Sequence, residues 1–97
     1  MSERIPVLWM EKTCGACPAQ WEGMTTDGRA IYARFRFGYG YVCVAPKGEE
    51  GLYGDDKFKV VEWEGEDPLM GFLTEEQLVT QTEHVLAYPP LGSGGWR

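Results

Sequence analysis

The clearest chemistry in this chain sits in the run YARFRFGYGY, where Arg34 and Arg36 stand two residues apart, with Tyr32 before them and Tyr41 soon after. Residues two apart on a strand share a face, about 6.5–7 Å from one another. Two guanidiniums at that spacing, beside phenol hydroxyls, can hold a phosphate, a carboxylate or an acidic protein patch through charge-assisted hydrogen bonds. The rings can stack on a flat ligand. The competing reading is a solvated sheet surface whose arginines pair with Glu22 and with the acidic linker at residues 64–68. The candidate binding set is therefore Arg34, Arg36, Tyr32, Tyr41 and Glu22.

Cys14, Cys17, Cys43 and His84 give four soft ligands, which would suit a Cys₃His zinc site, and Cys14-Gly15-Ala16-Cys17 has the spacing of a ligand pair. The strand register derived below speaks against the full set. Cys17 precedes Gln20 by three residues, about 10 Å along its strand, and lies two strands from Cys43, nearly another 10 Å. Zinc needs each sulfur within about 2.3 Å. No metal site is assigned, and Cys14 and Cys17 stay as the candidate pair. No cofactor is expected. A thioredoxin-type motif opens a helix, whereas this pair precedes Pro18 and a strand. The single histidine, His84, falls near the end of the expected helix, where the dipole favours it. There is no nucleophile elbow, phosphate loop or zinc-protease motif, so an enzyme is not expected.

The residues that position this chemistry run from Gln20 to Val44, which reads as three antiparallel strands. Thr26-Asp27-Gly28 fits a three-residue loop with Gly28 left-handed. It pairs Thr25 with Arg29, Glu22 with Tyr32, Trp21 with Ala33 and Gln20 with Arg34. A two-residue Asp-Gly loop would turn Trp21 to the other face. For the second turn, Gly38-Tyr39 fits a type II′ geometry, pairing Phe37 with Gly40, Arg36 with Tyr41 and Arg34 with Cys43. Trp21, Ile31, Ala33, Phe35, Phe37, Val42 and Val44 then share the core face. Gln20, Glu22, Tyr32, Arg34, Arg36, Tyr41 and Cys43 share the other.

Around this meander, residues 5–10 read as a first strand and 11–18 as a loop. Residues 46–56 form an acidic glycine-rich loop, 58–63 a fourth strand and 69–73 a short fifth. Thr74 starts a helix, with Gln77 completing a capping box and Leu73 facing Leu78 as a hydrophobic staple. Leu78, Val79, Thr82, Val85 and Leu86 make its apolar stripe, and Pro89-Pro90 ends it. The expected fold is a β-rich α+β domain: an antiparallel meander of four to five strands with one C-terminal helix. Residues 1–90 form the single compact domain, and 91–97 a flexible tail.

The 97 residues carry a net charge of -6, which argues against a nucleic-acid partner. The charge is uneven: residues 1–48 hold four acids and six bases, residues 49–97 eleven acids and three bases. No apolar run is long enough for a membrane helix, and none near the start suits a signal peptide. Three cysteines, an odd number, fit a reducing cytoplasm better than a disulfide framework.

Cys17-Pro18-Ala19-Gln20-Trp21, then Asp27-Gly28, then Tyr32, Arg34, Phe35 and Arg36 ending at Gly38, resembles the core of a group of small uncharacterised proteins of actinobacteria and their phages. The match covers about a quarter of the chain. It implies a phage or actinobacterial origin and carries over no catalytic residue. The expected function is a non-enzymatic binding protein: a small phage-encoded or phage-related accessory factor that engages a host protein in the host cytoplasm. The alternatives are a sponge or sensor for a small anionic ligand such as a nucleotide, and a small zinc-stabilised module. An uncovered sheet edge also favours a homodimer.

Overall fold

The computed structural model describes residues 4–14, 19–46, 58–65 and 73–97. Six strands and one helix follow in the order β1 (Ile5–Cys14), β2 (Ala19–Thr25), β3 (Ala30–Arg36), β4 (Tyr39–Ala45), β5 (Lys59–Glu64), α1 (Glu75–Thr82) and β6 (Leu86–Ala87). They form one sheet, ordered β5-β4-β3-β2-β1-β6. The five long strands are antiparallel, and β6 joins β1 in parallel. This is the β-rich α+β class expected from the sequence, with one strand more. Among the described residues, no helix is long and apolar enough to cross a membrane. Cys17, most of the acidic loop after Pro46 and residues 69–72 of the expected fifth strand lie outside the described residues.

The first hairpin has the expected register, with Glu22 opposite Tyr32, Trp21 opposite Ala33 and Gln20 opposite Arg34. Its loop is closed by Thr25 N–H donating to the Arg29 carbonyl at 2.9 Å, with Gly28 at φ 88°. Asp27 ties the loop together. Its carboxylate accepts from the Thr25 hydroxyl and from Arg29 Nε. The Thr25 hydrogen bond, and then Arg29, hold its carboxyl below the usual carboxylate range.

The second hairpin differs from expectation by two residues. Arg36 lies opposite Tyr39, Arg34 opposite Tyr41 and Ala33 opposite Val42. The turn is Phe37-Gly38, not Gly38-Tyr39, and both residues have positive φ, 53° and 74°. Two consecutive left-handed residues define the type I′ turn, whose twist matches that of the flanking strands. Because side chains alternate with a period of two, a two-residue shift leaves every strand residue on its expected face. Phe37 is the exception. Expected in the core, it sits in the turn and is 62% exposed.

On the core face Trp21, Ile31, Ala33, Phe35 and Val42 are buried, joined by Met10, Leu78 and Leu86. Each large apolar side chain so buried contributes about 1.5–3 kcal/mol. One cross-strand row in this face runs Phe35–Gly40–Trp63. Glycine in the middle lets the two rings meet, with centroids 6.1 Å apart and planes 13° from parallel. A Cβ at Gly40 would lie 2.3 Å from Trp63 Cζ2.

The helix begins as expected. Thr74 Oγ1 accepts from Gln77 N–H at 3.1 Å, and Gln77 Oε1 accepts from Thr74 N–H at 2.9 Å. It ends earlier than expected, at Thr82. The apolar stripe read as helical through Leu86 divides, and Leu86–Ala87 pair with Ile5–Pro6 as β6. Ile5 N–H donates to the Val85 carbonyl at 2.8 Å. The outer edge of β1 has backbone groups to satisfy, and this segment satisfies part of them. β1 itself continues through Cys14, where residues from 11 onward were expected as loop.

The last residues, expected as a flexible tail, continue this edge. Met10 N–H donates to the Gly95 carbonyl at 2.7 Å, and Arg97 N–H to the Met10 carbonyl at 2.8 Å. Trp96 Nε1 donates to the Pro89 carbonyl at 2.9 Å, and its ring lies 5.4 Å from that of Tyr88. A large amphipathic ring with a satisfied N–H is a sufficient anchor for so short a segment.

Candidate functional site, a tyrosine–arginine sheet face

The face opposite the core is built from cross-strand rows. One runs Arg34–Tyr41–Glu62, the next Arg36–Tyr39–Glu64, and a third Glu22–Tyr32–Cys43–Lys59. The structure thus brings Tyr32, Arg34, Arg36 and Tyr41 onto one face, with Arg34 rather than Arg36 opposite Tyr41. The corrected turn adds Tyr39, which the sequence reading had placed in the loop. Taking Gly38 as the second turn residue would have found it. Lys59 and Glu62 were also missed, because the pairing of β5 with β4 carries no turn signal in the sequence.

The three tyrosines form a zigzag. Tyr32 and Tyr41 have centroids 6.2 Å apart at 49°, and Tyr41 and Tyr39 are 5.9 Å apart at 43°. Lys59 Nζ lies 4.9 Å from the Tyr41 centroid and donates to Tyr39 Oη at 2.9 Å. Tyr39 in turn donates to Glu62, 3.8 Å from Lys59 Nζ. The Glu62 hydrogen bond pushes the Tyr39 phenol above its ordinary value, against the opposing pull of Lys59. Burial pushes the Tyr32 phenol up, Tyr41 and Glu22 add to it, and Arg34 pulls the other way. Tyr32 and Cys43 are buried, at 9% and 3% exposure, so the row beside the arginines is closed off.

Arg34 is half-buried and Arg36 exposed. Among the described residues, neither guanidinium has a carboxylate within ion-pair distance. Glu22, expected as a pairing candidate, stands opposite Glu11 on β1. Arg36 Cζ lies 4.6 Å from the centroid of the Phe37 ring. Arg34, Arg36, Phe37, Tyr39 and Tyr41 enclose a shallow hollow of about 220 Å³. Two guanidiniums without a carboxylate partner among the described residues, walled by aromatic rings, can donate to carboxylate or phosphate oxygens while an apolar group rests on the rings.

The two described thiols and the histidine do not converge on a site. Cys14 pairs with Gln20 on β2, whereas Cys43 is on β4. Three strand spacings, about 14 Å, separate them. His84 lies in the turn after α1. Among the described residues, no group of three His, Cys, Asp or Glu side chains is placed to hold a metal.

No family model, curated protein or solved structure matches the chain.

Proposed function

We propose that the chain is a non-enzymatic binding protein whose tyrosine–arginine face engages an acidic patch on another protein. In keeping with the resemblance of its central segment, it would be a phage-related accessory factor acting on a host protein. The observation that carries this reading is the pair Arg34 and Arg36, side by side on one face and without a carboxylate partner among the described residues. A net charge of -6 leaves many acidic groups in the chain. Two arginines kept clear of the described ones are available to an outside anion. Removal of buried or half-buried charges from such a contact typically costs about 2–5 kcal/mol of binding.

The shape favours a protein over a nucleotide. Small-molecule sites enclose about 300–1,000 Å³. The hollow beside Arg34 and Arg36 holds about 220 Å³ and opens onto a broad face. The test is capture from an actinobacterial host lysate, followed by binding measured between the purified pair. The Arg34→Ala, Arg36→Ala double variant is expected to weaken that binding at least tenfold, and weakening of the wild-type complex by added salt is expected too. Equal binding by the double variant would remove the proposal. Thermal stabilisation of the free protein by a nucleotide would favour the small-ligand reading in its place.

A further inference from the structure

A second opening lies on the other side of the sheet, between its core face and α1. Phe35, Trp63 and Gly65 line its floor, and Glu76, Gln77 and Gln81 stand among its walls. Its volume is about 470 Å³, within the range of built ligand sites. The row Phe35–Gly40–Trp63 creates the floor. With no side chain at Gly40, the Trp63 ring lies flat on the backbone and stacked on Phe35. Phe35 is buried, and Trp63 remains partly exposed. Gly65, whose N–H is bonded to the Gly38 carbonyl, brings only backbone beside Phe35.

The chemistry of the walls is one-sided. Glu76 is exposed and has no cationic partner among the described residues, whereas Glu64, next to Trp63 on β5, belongs to the opposite face of the sheet. No lysine or arginine is among the described residues that line the cleft. An indole face attracts a cation, and a carboxylate at its rim adds charge and hydrogen-bond acceptors. A guanidinium suits both at once, since its plane stacks on the indole while its edge donates to carboxylate.

We propose that this cleft takes an arginine side chain from a basic peptide segment, with the guanidinium on Trp63 and its N–H groups directed to Glu76. The site is independent of the Arg34–Arg36 face and lies on the opposite side of the sheet. The chain thereby offers an anion-binding surface on one side and a cation-binding cleft on the other.

The experiment is an NMR titration of the ¹⁵N-labelled full chain, read at the Trp63 indole N–H. The probes are acetyl-Gly-Arg-Gly-amide and the same peptide with citrulline, which has nearly the same shape and no charge. The arginine peptide is expected to give a saturable shift at millimolar concentration, and the citrulline peptide little or none. Glu76→Gln, at an exposed helix position, should weaken binding about fivefold, consistent with the loss of one exposed ion pair. Arg34→Ala plus Arg36→Ala should leave the titration unchanged, so this site and the proposed function fail separately. An unmoved Trp63 signal, or equal shifts from the two peptides, overturns the proposal. A Trp63 shift that appears with protein concentration alone and vanishes in the double arginine variant also overturns it, because the occupant would then be a second copy of this chain.

Discussion

Phe35 and Trp63, on strands separated by β4, stack across Gly40 with their ring planes 13° apart. The contact exists because the residue between them has no side chain. Gly40→Ala would place a methyl carbon 2.3 Å from Trp63 Cζ2, against ring atoms held by Phe35 on one side. Such overpacking is expected to cost about 2–3 kcal/mol, measured by denaturant unfolding. Gly94 is the internal control. A Cβ there meets nothing within 4 Å, so Gly94→Ala should change stability by less than about 0.5 kcal/mol.

Phe37 presents the opposite situation: a bulky residue where the backbone is left-handed, at φ 53°. Such a conformation costs about 1–2 kcal/mol for a residue with a Cβ, and asparagine tolerates it best after glycine. Strain of this kind persists where it has a use. Here the Phe37 ring lies beneath the Arg36 guanidinium and walls the hollow. Phe37→Asn is expected to raise stability by about 0.5–1 kcal/mol while weakening capture of the acidic partner. Thermal unfolding and binding measured on the same sample give both values, and a variant that loses stability sinks the expectation.

Arg34→Ala plus Arg36→Ala should leave the fold nearly untouched, within about 1 kcal/mol, because no described carboxylate is left unpaired by the change. Far-UV circular dichroism and the unfolding midpoint check this. A large loss of stability would mean that the two guanidiniums serve the sheet itself.

Trp96 anchors the end of the chain to β1. Trp96→Ala removes the hydrogen bond to Pro89 and the contact with Tyr88, for an expected loss of about 2 kcal/mol. The Met10 amide, bonded to the Gly95 carbonyl, should then exchange with solvent much faster, while amides in β3 hold. Unchanged exchange at Met10 would show that the segment is held without its tryptophan.

Tyr88 sets an alkaline limit. Burial raises its phenol to about 12, against a smaller opposing effect of the hydrogen bond with Thr82. A folded-state value above the unfolded value near 10 means that the unfolded chain loses the proton first. The stabilisation is therefore complete below pH 10 and is lost as pH rises through 12. Unfolding followed between these values should show a steep fall, which Tyr88→Phe makes shallower. Tyr32 and Tyr39, also raised, leave a residual slope.

What was legible in the sequence follows from where local signals decide the geometry. Thr25 to Arg29 contain their own turn chemistry, so the first register could be derived in full. The second turn could not, because a phenylalanine in the left-handed region breaks the rule by which such turns are recognised. Tyr39 was lost from the site with it. The faces survived because the error was an even number of residues. Leu86 fits a helical stripe as well as a strand, and only the open edge of β1, set by distant residues, decides between them. The fit of Trp96 against Tyr88 and Pro89 is likewise a tertiary fact. Trp63 was placed on a strand, but its stacking on Phe35 needed the β4–β5 pairing, which leaves no turn signature in the described chain.

The pairing of β1 with both β6 and the chain end has a consequence for synthesis. Ile5 bonds to Val85 and Met10 to Gly95, so β1 waits for partners that lie far downstream in the chain. A nascent chain can assemble β2, β3 and β4 through their hairpins while β1 still shows a bare edge to the crowded exterior of the ribosome. Contacts that join such distant residues slow folding, and unpaired strands invite association. Emergence of residues 85–97 is thus the event that lets β1 cover its outer edge, and conditions that delay it should favour aggregation over native protein.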